Sequence, residues 1–190
     1  MYPKESLDII SKMMNDTRRN VMLDSRMPLL VWGWLSFAVS VLVYAGLRLT
    51  ADFRWNFAWF LILLVGIPLV KILKPSVRPV TTAISRSLVV IWKMLAVLIT
   101  VFSTLSFFIN FKILAVVLII LAIGSFTTGE LIRYPFLKYS SIPGFVVSAL
   151  LWWVTGLNQI LIFAIMMLIM MVLPAYKMKH DLSKETDERS

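Results

Sequence analysis

Two ionisable side chains lie inside long apolar stretches of this 190-residue chain, Lys93 and Glu130, and an acid or base held in hydrocarbon is the raw material of proton or ion transfer. Gly124, Ser125, Thr127, Thr128 and Gly129 run directly into Glu130, with Arg133 three residues on, so hydroxyls, small residues and one carboxylate gather on about three turns of a single helix. Two chemistries fit. Lys93, Glu130, Thr127, Thr128 and Arg133 would line a polar path between helices, or Glu130 would be a structural partner of Lys93 or, at i, i+3, of Arg133. Depth favours the second. At 1.5 Å per residue Lys93 lies roughly 9 Å beyond Ser87, and Glu130 about 4.5 Å short of Arg133, so both sit in the same half of their spans and a lysine stem reaches the headgroups from there. The pairs Gly124 with Thr128 and Ser125 with Gly129 are each four residues apart, a spacing that lets helices approach closely, and they read as a packing seam before they read as a polar notch.

Little else in the chain can do chemistry. There is no cysteine and one histidine, His180, in a charged segment, which excludes disulfides, thiol catalysis and a Cys or His metal cluster. Met166, Met167, Met170 and Met171 would bind Cu(I) only with harder or softer company that is missing, and read as flexible apolar packing. No glycine-rich phosphate loop, serine nucleophile elbow or paired intramembrane aspartates occur. The expectation is therefore a protein that is not an enzyme and takes no cofactor or metal.

The elements that must position these residues follow from composition. Apolar residues make up 59% and charged residues 15%, far from a soluble domain at about 45–50% and about 25%. Six apolar segments, 28–47, 55–73, 88–109, 113–131, 142–157 and 160–176, approach the roughly 20 residues that cross a ~30 Å hydrocarbon core. The spacing predicts an all-α integral membrane protein of six transmembrane helices in three hairpins. Pro68, Pro143 and Pro174 are tolerated kinks or first-turn residues within them. Before them, residues 1–27 form a cytoplasmic amphipathic helix with Leu7, Ile10, Met14 and Val21 on one stripe, a candidate surface for a cytoplasmic protein partner or for lipid. After them, the charged residues 177–190 lack apolar periodicity and read as a disordered tail.

Basic residues orient the bundle. Fifteen of the 19 lysines and arginines fall in the amino-terminal segment, the second and fourth loops and the tail, against Arg48, Arg54 and Lys112 on the other side, which puts both termini in the cytoplasm. Trp55, Trp59, Trp152 and Trp153 then fall at one interface and Trp32, Trp34, Trp92 and Tyr176 at the other, as aromatic belts do. The +9 net charge reads as a topology signal and as adhesion to anionic headgroups; with bases scattered among loops, no nucleic-acid surface is expected.

The segments ESLDIIS (5–11), LVWGW (30–34), TGELIR (128–133) and LPAYK (173–177) together resemble a family of small uncharacterised six-span inner-membrane proteins of Bacteroidetes-type bacteria. In that pattern the fourth span carries a Thr-Gly-Gly-like stretch and the last closes on an Ile-Pro-Gly-like motif; here Glu130 and Ala175 stand in place of glycines. The resemblance implies the fold, cytoplasmic termini and a bacterial inner-membrane location, and no activity. The leading expectation is a scaffold, sensor or regulatory membrane component that works through partners, a second copy of itself among them. The alternative is a small oligomeric transporter or channel with its path near Lys93 and Glu130.

Overall fold

The structure, a computed structural model, describes residues 3–73, 83–109 and 111–187, with the side chains of 3–8, 10–12, 15, 18 and 185–187 outside that description. Among the described residues all regular structure is helical. The elements are α1 (Pro3–Thr50), a 3-10 segment (Phe53–Trp59) running into α2 (Phe60–Leu73), α3 (Ala83–Leu105), α4 (Ile113–Leu131), α5 (Pro135–Leu150), α6 (Asn158–Met167), a π turn (Leu168–Val172) and α7 (Leu173–Asp187). A helix bonds its own backbone, which is what an apolar environment demands. Five stretches are long and apolar enough to cross a membrane: Arg19–Thr50, Phe53–Leu73, Ala83–Leu105, Ile113–Leu131 and Asn158–Lys184. The fifth expected span, 142–157, corresponds to α5, which begins and ends seven residues earlier. α5 has 16 residues, about 24 Å, and falls outside that group.

The core lies among α1, α4, α5 and the continuous rod of α6, π turn and α7. Val43, Leu118, Leu137, Met167, Met170 and Met178 are fully buried there. The methionines act as flexible filler: the Met170 thioether lies where a side chain on Gly144 of α5 would go. The π turn has a local cause. Pro174 has no N–H and its ring crowds the carbonyl four residues back, so the helix widens by a residue at Leu168–Val172 and continues.

α2 and α3 are peripheral, with 6% and 11% of their apolar stretches buried against 44% for α1 and α4. Tryptophans seated in glycine notches hold them. The Trp55 ring covers Gly46 of α1, the Trp32 ring of α1 fills the space a side chain at Gly66 of α2 would need, and Trp92 and Leu95 of α3 close over Gly124 of α4. These rings, expected as interfacial anchors, work as packing knobs.

Two expectations are corrected. The expected helix over 1–27 is not separate within the described residues 3–27: α1 runs unbroken through Pro28, because Val21 and Met22 before the proline and Leu29 and Val31 after it are all buried, and packing on α7 and the π turn outweighs one lost backbone bond. Nor is the segment after residue 176 without structure. α7 extends to Asp187, and Met178 and Leu182, four apart on one face, join the same buried cluster as Val21 and Met22. Ala175, Met178 and Leu182 make the apolar stripe that the charges between them obscure.

Candidate functional site

The carboxyl end of α4 is closed by its backbone. Tyr134 N–H bonds the Gly129 carbonyl at 2.8 Å and Arg133 N–H the Glu130 carbonyl at 3.1 Å, the paired bonds that end a helix when the residue between turns left-handed. That residue is Arg133, at φ 50°, exposed and without the freedom of glycine. Arg133 therefore meets Glu130 through the main chain, and the expected side-chain pair between them is replaced. A left-handed non-glycine residue costs about 1–2 kcal/mol, part of which glycine gives back as unfolded-state entropy, so Arg133→Gly should stabilise the protein by about 0.5–1 kcal/mol, read as a raised melting temperature.

The turn delivers α5 antiparallel onto α4, and Glu130 meets Lys138 there. Their ion pair measures 2.6 Å, with Glu130 59% and Lys138 33% exposed, and the ammonium also stands 5.4 Å from the Phe126 ring. Screening by solvent keeps the pair weak. The expected partner, Lys93, is on the exposed outer side of α3 and makes no ion pair among the described residues. Sequence proximity could not distinguish Lys93 from Lys138, because the choice rests on the turn at 132–134.

The hydroxyl cluster is filled from two sides. Trp92 Nε1–H donates to Thr128 Oγ1 at 3.1 Å, and Thr128 donates to the Gly124 carbonyl at 2.7 Å. Thr128 and Ser125 are fully buried; Thr127 is partly exposed. Gly124 and Thr128 face α3, whereas Gly129, four residues beyond Ser125, meets the backbone of Leu137 and Lys138 on α5. Each small pair thus seats a different neighbour. Of the partner stripe, Val21 is buried and Met14 is exposed; the side chains of Leu7 and Ile10 lie outside the described residues.

A different polar group stands where the reading of the residues found none. At the opposite end of the bundle a cavity of about 660 Å³ lies between the 3-10 segment, the start of α4 and the α5–α6 turn, lined by Asn56, Trp59, Lys112, Leu114, Trp152 and Gln159 among others. Lys112 Nζ and Gln159 Nε2, the latter at 2.9 Å, both donate to the Val154 carbonyl, which ties the two turns together. Lys112 counted in the sequence only as a topology charge; its position just before an apolar run, opposite the Asn158 and Gln159 turn, was the signal. No family model, curated protein or solved structure matches the chain.

Proposed function

We propose that the chain is a multi-pass membrane protein whose six apolar helices, paired as three hairpins, anchor a cytoplasmic helical stalk that binds a protein partner, in the inner membrane of a bacterium of the kind its motifs resemble. The length of α1 carries this reading. Its 48 residues rise about 72 Å, more than twice a ~30 Å hydrocarbon core, and its last residue ends the apolar stretch, so the surplus stands on the amino-terminal side. α7 leaves the core alongside it, and Val21, Met22, Met178 and Leu182 bury one another as the root of the stalk. Beyond the root, Ile9, Met13 and Met14 are exposed.

A partner helix or groove fits those side chains better than lipid does. A helix continuous with a spanning rod points away from the bilayer plane, and residues 1–27 carry five bases against four acids, too even a balance for adhesion to anionic headgroups. The role is that of a non-enzymatic scaffold, sensor or regulator. The transport alternative has less to stand on, since Trp92 and the α5 backbone fill the surroundings of Thr128 and Gly129.

Deletion of residues 1–14 tests the proposal. The truncated protein should melt as the full chain does and lose a partner that co-purifies from native membranes with the full chain. Cysteine at Ser183 should resist an impermeant thiol reagent in intact cells while cysteine at Asp52 is labelled. Retention of every partner, or labelling at Ser183, would overturn the reading.

A further inference from the structure

We infer that the cavity at the far end from the stalk is a binding site for a phosphate-type anion, with the headgroup of an anionic lipid as its fitting occupant. The charge is one-sided. Among the described residues that line the cavity there is one cation, Lys112, and no aspartate or glutamate. Lys112 is tied to a neutral carbonyl, that of Val154, so its charge is placed but not neutralised. An ammonium has three N–H groups and a primary amide two; Lys112, Gln159 and Asn56 each place one on a backbone carbonyl and keep donors beyond it.

The backbone adds to this field. α4 begins at Ile113 and α6 at Asn158, both at the cavity, and neither carries a side-chain cap; the Ile113, Ala115 and Ile160 N–H groups are taken by backbone carbonyls, and what the two ends add is the positive pole of each helix dipole. These ends support the site, while Lys112 and the two amides define it. The rest of the wall is apolar, with Trp59, Trp152, Leu114 and Ile160, which suits a molecule charged at one end and hydrocarbon at the other. Trp59 is itself fixed edge-on against Phe163 at 5.8 Å, so this wall is held by the core.

Tryptophans in the wall supply the readout. Full-length protein in neutral detergent is titrated with brominated phosphatidylglycerol and with brominated phosphatidylcholine, and quenching of tryptophan fluorescence gives the two affinities. The anionic lipid is expected to bind about fivefold or more tighter, the effect of one basic residue placed at an anionic headgroup. Lys112→Gln should abolish the preference and Lys112→Arg keep it. Arg54→Gln, which removes an exposed charge at the same end but outside the cavity, should leave it unchanged. Gln159→Leu, with the ammonium still in place, should weaken it, which keeps the test decisive where Lys112→Gln fails to fold. Inorganic phosphate separates the sources: competition with the brominated lipid assigns the site to the free anion, and its absence assigns it to the headgroup with its chain. Equal binding of the two lipids with no effect of phosphate, or loss of the preference in Arg54→Gln as large as in Lys112→Gln, would overturn the site.

Discussion

Gly129→Ala is expected to lower the melting temperature of the purified protein by roughly 4–10 °C, and Gly129→Leu to prevent the bundle from forming. A Cβ at this position would lie 2.6 Å from the Lys138 backbone nitrogen and 2.9 Å from its Cα, and backbone cannot swing aside as a side chain does. α4 and α5 would have to separate along their whole seam, which also carries Ala122, Ser125 and Ser141 as buried small residues. Overpacking of this kind costs about 1–3 kcal/mol and more when rigid atoms collide, against a gain of up to ~1 kcal/mol in helix propensity when glycine becomes alanine. For a chain of this size each kcal/mol moves the midpoint by about 2–4 °C. Gly144→Ala is the control. Its new methyl meets the flexible Met170 thioether first, which can shift, and the Ala122 Cβ only at 3.0 Å, so the loss there should stay below that at Gly129, where the contacts are backbone. Equal losses at the two glycines would place the tight seam elsewhere.

That seam also marks how far the residues alone reach. Hydropathy finds helices because a spanning helix must be apolar for its full length, and 113–131 coincides with α4 to the residue. The small pairs on α4 are legible as seams for the same reason, since close approach needs small side chains wherever the partner comes from. What they face is not legible. Whether Glu130 meets Lys93, Arg133 or Lys138 depends on the left-handed Arg133, a conformation the residue type argues against. Boundaries failed where charge and burial diverge. Polar composition placed breaks at residues 27 and 176, yet Val21, Met22, Met178 and Leu182 continue an apolar stripe across both, too sparse to show against the lysines and acids around it. Of the far-end cavity only Lys112, set just before an apolar run, is hinted at in the sequence: Asn56, Lys112 and Gln159 come from three separated places in the chain, and only folding brings them together.

Met178→Ala should destabilise the protein by about 2–5 kcal/mol, a loss that a disordered tail could not produce. Met178 is fully buried and Leu182 is 5% exposed, both in the cluster that holds Val21 and Met22 of α1, so each truncation leaves a cavity at the root of the stalk. A polar latch fixes this face. The Tyr134 hydroxyl donates to Asp181 Oδ2 at 2.8 Å, which pins α7 to the turn that ends α4, while Lys177 sits 4.1 Å from the Phe136 ring of α5. Because the latch is partly exposed, Tyr134→Phe should cost only about 1 kcal/mol, well below Met178→Ala. The informative comparison is between Leu182→Ala and an exposed neighbour, Ser183→Ala, one residue along. If the apolar stripe carries α7, Leu182→Ala lowers the melting midpoint by several degrees and Ser183→Ala leaves it unmoved. Should the two behave alike, or should a chain ending at residue 176 melt as the full chain does, α7 would not be part of the folded unit, and α1 beyond the core would stand without its brace. The proposed stalk would then lose the rigidity that, on that reading, aims the exposed Ile9, Met13 and Met14 away from the bilayer, and lipid would regain its claim on that face.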